Sequence, residues 1–301
     1  MRTRPALATL AALTLALALT AGCGPRDAGN GTDRGSDGTT PSADATPAAD
    51  GEDAAGRGTP IRAYFLREAG SETGRQERVA PVRRHTRSTG VAAAAVEALL
   101  AGPNEAEATA GFVSAVPSGV RLRGVNVRNG IAIVDLSDEF AAGAGSAGMR
   151  GRVAQLVYTL TQFGSVDGVE LRIEGERVTE LGAEGLLLQE PQTREDWEGL
   201  TPIVLVEEPA FGDTLDSPLR VTGTANTFEA EFRLEVTADG RTLADRQVMA
   251  TSGSGTRGTF VSTLRFDASE AGTYKLTAWY ASAKDGSRVE VFDLTGAGTA
   301  D

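Results

Sequence analysis

Leu122-Arg123-Gly124-Val125-Asn126-Val127-Arg128-Asn129-Gly130-Ile131-Ala132-Ile133-Val134-Asp135-Leu136 decides how the first half of this chain is read. Two apolar runs, Leu122–Val127 and Ile131–Leu136, flank Arg128-Asn129-Gly130. Asn and Gly tolerate the positive φ of a two-residue turn, so the stretch predicts a β-hairpin. Upstream, Ile61 to Leu66 reads as a strand followed by a polar loop. Ser88 or Thr89 is placed to cap a helix from Val91 to Ala101, which Gly102-Pro103 stops. Downstream, Val153, Leu156, Val157 and Leu160 recur at helical spacing, and Gly164 ends that helix. Val169, Leu171 and Ile173 then alternate with Glu170, Arg172 and Glu174, the pattern of a half-exposed strand. The expected order over residues 59–190 is β-α-β-β-α-β, an α+β domain with two helices on one face of a small sheet.

From Thr201 the pattern becomes all-β. Candidate strands are Ile203–Glu207, Leu219–Ala225, Ala230–Val236, Arg246–Thr251, Thr259–Phe266, Tyr274–Ser282 and Val289–Leu294. Turn signals separate them, among them Asp239-Gly240 and Asp285-Gly286. Seven short strands at this spacing predict a β-sandwich over residues 200–297, with Trp279 in its core.

The amino terminus reads differently from both. Arg2 and Arg4 precede an uncharged Ala/Leu run from Ala6 to Ala18, and Leu19-Thr20-Ala21-Gly22-Cys23 follows. This is the layout of a secretory signal over residues 1–22, too short for a comfortable membrane span. Ala21-Gly22-Cys23 resembles a bacterial lipobox, although Thr20 stands where that family prefers Leu. The resemblance implies that Cys23 carries diacylglycerol and, after cleavage, a further acyl chain. Several acyl chains suffice for stable anchoring without a helix. Residues 24–58 contain no Ile, Leu, Val, Met or aromatic side chain, so residues 23–58 are expected to be a disordered tether.

Composition narrows the chemistry. The net charge is −12, which disfavours a nucleic-acid partner. One cysteine rules out an intramolecular disulfide, and one histidine leaves little material for histidine metal sites or catalytic relays. No cofactor and no metal is expected. Gly143–Gly148 and Gly253–Gly258 both match GxGxxG. The first is separated from its strand by Ser137–Ala142, and the second leads into a strand where a phosphate site needs a helix N-terminus. His85, in Arg83-Arg84-His85-Thr86-Arg87, is expected in an exposed basic loop. Asp213 and Asp216 lack the ligand spacing of a calcium site. Asp135 is expected either at a functional position or in a strand-end hydrogen bond. Glu229 and Asp285, beside Phe228 and Lys284, are candidates for a polar interaction patch.

Family resemblance adds to this reading. Leu100-Ala101-Gly102-Pro103, Ala115-Val116-Pro117, Asn129 to Ser137, and Tyr158-Thr159-Leu160-Thr161-Gln162-Phe163 resemble the GerMN domain of sporulation and spore-germination proteins. Ser217 to Ala225, Phe228-Glu229-Ala230, Gly258-Thr259-Phe260 and Ser282 to Ser287 resemble the immunoglobulin-like domain of bacterial spore-germination proteins. These resemblances imply action through protein contacts and no catalysis. The expected function is a lipoprotein on the outer face of the cell membrane, held by membrane lipid through Cys23. Its expected partner is an envelope protein or cell-wall polymer. The alternative is a module that binds a small solute or a cell-wall fragment.

Overall fold

The computed structural model describes residues 58–143, 145–268 and 272–298. The leader, Cys23 and the tether up to residue 57 lie outside the described residues.

The chain forms an α+β domain followed by an all-β sandwich. The hairpin of the opening stretch pairs β3 (Leu122–Arg128) with β4 (Ile131–Leu136). Arg128 faces Ile131, and the two turn residues have positive φ, 50° at Asn129 and 79° at Gly130. Between β4 and its parallel neighbour β5 (Gly168–Ile173) runs helix α3 (Ser146–Leu160). Parallel strands need such a crossover, because a tight turn cannot reverse the chain twice. The short β6 (Glu176–Arg177) completes the sheet in the order β3-β4-β5-β6.

The polar stretch after Leu66, expected as a loop, is instead a strand. β1 (Thr59–Ser71) and β2 (Gly74–Thr86) form a long antiparallel hairpin. Residues 75–78 carry only polar side chains, and Pro81 argues against a strand. Val79 and Val82 are nevertheless buried against the core, and pairing with β1 supplies the rest. His85 therefore sits exposed at a strand end, opposite Pro60.

Helix α1 (Val91–Leu100) buries Ala95, Val96 and Leu99. Its N-cap is Gly90, so neither Ser88 nor Thr89 caps it; Ser88 Oγ accepts the Gly90 N–H at 3.1 Å from two residues before the cap. Gly102, at φ 76°, ends it as expected. The short α2 (Glu105–Thr109) went unmarked in the sequence pattern, although Asn104 and Glu107 form a reciprocal capping box there.

Helix α3 ends at Leu160, four residues before Gly164. From Gly151 to Leu160 it is buried on every side, because it packs on the hairpin, on α1 and on β5. The two helices thus cover both a sheet and a hairpin. Its polar residues Arg152, Gln155 and Thr159 do not face water. Gln155 Nε2 donates to Tyr64 O at 3.1 Å, and Thr159 Oγ1 accepts from Tyr64 N at 3.1 Å. Gln162, just past the helix, accepts from Arg62 N and donates to Arg62 O, both at 2.7 Å. These amides and this hydroxyl serve β1 as a neighbouring strand would.

After the small pair β7 (Glu180–Leu181) and β8 (Leu186–Leu187) come seven strands: β9 (Val204–Glu208), β10 (Leu219–Ala225), β11 (Glu231–Ala238), β12 (Arg241–Met249), β13 (Gly258–Leu264), β14 (Gly272–Ala281) and β15 (Arg288–Gly298). They stack as two sheets, β13-β10-β9 and β12-β11-β14-β15. Inward residues Val221, Phe232, Leu234, Val236, Phe260, Leu276 and Val291 fill the space between. Phe232 and Phe260 meet edge to face, with centroids 4.8 Å apart. Trp279, expected in this core, is only half-buried. It lies on the outer face with Arg233 and Arg288, because alternation along β14 turns Leu276, Ala278 and Tyr280 inward.

Two substitutions test this architecture. A Cβ at Gly130 would stand 2.3 Å from Asp167 Oδ2, in a backbone region that L-residues avoid. Gly130→Ala is expected to cost about 1–2 kcal/mol in urea unfolding. Thr159→Val removes the acceptor of a buried amide, and a loss of roughly 1–3 kcal/mol is expected in the same measurement.

Candidate functional site

The alternation of a strand explains how the two domains join. In β9, Leu205 belongs to the core of the first domain, while Val204 and Val206 belong to the sandwich core. Glu207 follows on the same side as Leu205. Its carboxylate accepts the Tyr64 hydroxyl proton at 2.5 Å and pairs with Arg194 Nη1 at 2.9 Å. Arg194 also donates to Thr161 Oγ1 at 2.8 Å and lies 4.7 Å from the Tyr158 ring centre. Burial pushes the Glu207 carboxyl up, but Arg194, Tyr64 and Arg62 together outweigh it and hold its pKa below the ordinary value. Burial and the Glu207 charge raise the Tyr64 phenol.

Around this centre the seam continues. Arg83 pairs with Asp213 at 2.9 Å, and Arg67 donates to Asp293 O at 2.7 Å. Arg62 pairs with Glu208. Phe112 packs on Phe211 with centroids 5.1 Å apart. The connecting segment is pinned too: Trp197 is buried in the first core, and Glu198 takes Arg257 through two hydrogen bonds of 2.8 and 2.9 Å. Gly70 lies against β15 so closely that a Cβ there would stand 1.8 Å from Glu290 O.

The residues singled out in the sequence fall in several places. Asp135 takes a local role: Oδ1 accepts Gly175 N–H at 2.9 Å and Oδ2 faces Arg123 Nε at 3.4 Å. Asp213 is engaged by Arg83, and Asp216 accepts the Thr214 hydroxyl. Among the described residues no group of three His, Cys, Asp or Glu side chains is arranged to hold a metal ion. In the first glycine motif, Ser146 N–H at the start of α3 donates to Glu184 at 3.2 Å, so a carboxylate already occupies the place a phosphate would take. In the second, Arg257 serves the connecting segment.

Lys284 and Asp285 sit in the exposed turn between β14 and β15. Ser287 donates to Asp285 from its hydroxyl and its amide, and these bonds hold the carboxyl below its ordinary value. This turn borders a depression shared with the β1–β2 tip. Glu229 lies elsewhere, in a groove of about 310 Å³ walled by Phe228, Glu231, Phe232, Arg233, Trp279 and Tyr280 among others. Glu229 and Asp285 therefore do not share one pocket. Glu231, Arg233 and Tyr280 were not singled out in the sequence. Their only signal was alternation in β11 and β14, which does not say which strand ends adjoin.

Two family models match. Residues 62–179 match the one described as "Sporulation and spore germination", and residues 203–287 match "Immunoglobulin-like domain of bacterial spore germination". Among solved structures, the tandem GerMN domains of the sporulation protein GerM from Bacillus subtilis share 21% identity, with a TM-score of 0.40; the match covers 70% of this chain and 62% of that one. This chain thus spans under two thirds of that structure. The first GerMN domain of the same protein shares 25% identity at a TM-score of 0.34, covering 44% of this chain and 98% of that one. No curated protein matches.

The seam makes a pH prediction. Because Glu207 has a depressed pKa in the folded state, its contribution is present above the unfolded carboxylate pKa of about 4.3 and is lost as pH falls through the lower folded value. Glu207→Ala is expected to cost about 2–4 kcal/mol at neutral pH and to flatten the acid limb of the stability curve. Urea unfolding between neutral and acid pH measures both.

Proposed function

We propose that this chain, a sporulation-and-germination domain joined to the immunoglobulin-like domain of bacterial spore germination, is a lipid-anchored module that binds partners outside the cytoplasmic membrane. The observation that supports it most is the seam. β9 contributes to both cores, and the Tyr64–Glu207–Arg194 network crosses between the domains. Two domains joined in this way present their outer surfaces at a fixed spacing, which suits a part that holds other components in place. Neither family description names an enzymatic activity. The leader with Arg2, Arg4 and Ala21-Gly22-Cys23 supports anchoring through Cys23. Stable attachment then comes from acyl chains, two of which hold where one is marginal. The low-hydropathy stretch 24–58 serves as a tether between the anchor and the folded body. The partner in this reading is an envelope protein or cell-wall polymer.

The test is fractionation with a labelled fatty acid such as palmitate. The native chain is expected in the membrane fraction and labelled, and Cys23→Ser is expected in the soluble extracytoplasmic fraction and unlabelled. A Cys23→Ser chain that stays membrane-bound and is processed as before would overturn the anchoring. Crosslinking in the native envelope tests the partner, and recovery of neither protein nor wall polymer counts against that part.

A further inference from the structure

The far end of the β1–β2 hairpin lies along the second sheet of the sandwich. Arg67 donates to Asp293 O at 2.7 Å, and Gly70 lies against Glu290 O. Three steps along β1 thus match three steps back along β15, and the two strands run in opposite directions. Two steps further, Glu72 in the hairpin turn comes level with Arg288, beside Val289. Val289 is the partner of Tyr280 on β14. The tip therefore ends beside the Val289–Tyr280 pair, and it borders the same depression as Val289.

Tyr280 is turned into the sandwich core and is 5% exposed, and its hydroxyl has no hydrogen-bond partner. A buried hydroxyl left unpaired costs free energy, and a carboxylate is the strongest acceptor a side chain offers it. The charged neighbour of this phenol is Glu72: burial, and after it the Glu72 charge, raise the Tyr280 pKa. Glu72 itself is exposed, and among the described residues it enters no hydrogen bond or ion pair.

The tip is built to move as one piece. Ser71 Oγ donates to Gly74 O at 2.5 Å, which ties the two sides of the turn together. Gly74 holds φ at 111°, with open space around it. Gly70 is the point of support, since a Cβ there would stand 1.8 Å from Glu290 O.

We infer that the β1–β2 tip is a strap that pivots at Gly70 and closes when the Glu72 carboxylate accepts the Tyr280 hydroxyl. The structure holds the open position. Closing narrows the depression of about 630 Å³ between the tip and the β14–β15 turn. It also completes the grip of the first domain on the second. The Tyr64–Glu207–Arg194 network holds β9 of one sheet, and the strap holds β14 of the other. The strap goes beyond the interaction-module reading and depends on neither the membrane anchor nor a partner.

Thermal unfolding and amide exchange of the full chain test it, with Tyr280→Phe, Glu72→Ala and the double variant. A hydroxyl that stays unpaired is replaced by hydrogen at no loss, whereas a hydroxyl that bonds Glu72 is missed. Tyr280→Phe is therefore expected to lower the thermal midpoint by about 2–5 °C. Exchange at the tip amides of residues 71–75 is expected to rise on the order of tenfold in each single variant, and no further in the double variant. A cooperative transition in each variant shows that it is folded. An unchanged or raised midpoint in Tyr280→Phe overturns the strap, as does tip exchange that Glu72→Ala leaves unaltered. A second, equal step in the double variant also overturns it, because the two side chains then act separately. Faster exchange in Glu72→Ala alone overturns the Tyr280 bond and leaves Lys284, across the depression, as the partner of that carboxylate.

Discussion

The outer edge of β1 is satisfied by side chains of a buried helix, and much of the first domain depends on that substitution. A buried strand edge must place its amides and carbonyls somewhere. Here Gln155, Thr159 and Gln162 take up Arg62 and Tyr64, while the Leu66 amide and carbonyl exchange bonds with Val113. Arg152 extends the polar row by donating to the carbonyls of Ala115 and Ala142. From Gly151 to Leu160 the helix can therefore be buried on every side with a polar stripe still in it. Its apolar residues fill the core while its amides replace a missing strand.

This arrangement also positions the seam. Holding Tyr64 fully buried brings its hydroxyl to Glu207 on the first strand of the sandwich. The carboxylate, phenol and guanidinium are each costly to bury alone and tolerable together. Such a network is sensitive to geometry, so it favours one relative placement of the domains. Leu205 beside Glu207 adds apolar burial to the same placement.

Much of the architecture was legible in order along the chain. Asn129-Gly130 marked its hairpin, alternation marked β5, and the turn residues of the second domain marked seven strands close to where they form. The β1–β2 hairpin was less so, because residues 75–78 are polar and Pro81 interrupts the run. Pairing with β1 holds that strand, and its own composition does not. Trp279 misled for a related reason. A large aromatic residue suggests a core, yet alternation along β14 turns Leu276, Ala278 and Tyr280 inward and puts this one outside, beneath Arg233 and Arg288.

Of the candidate site, Phe228 and Glu229 were visible as an unusual block, whereas their neighbours were not. Glu231, Trp279 and Tyr280 come from two strands more than forty positions apart, and only sheet pairing joins them. Local periodicity and turn chemistry act over a few residues, so the sequence by itself determined the element types, their order and the split into an α+β and an all-β part. Which edges needed a substitute partner, which carboxylates were left unmatched, and how the two cores share β9 depend on contacts across long stretches of chain. Those were decided only by the tertiary structure, because a side chain's partner and burial are properties of the packed whole.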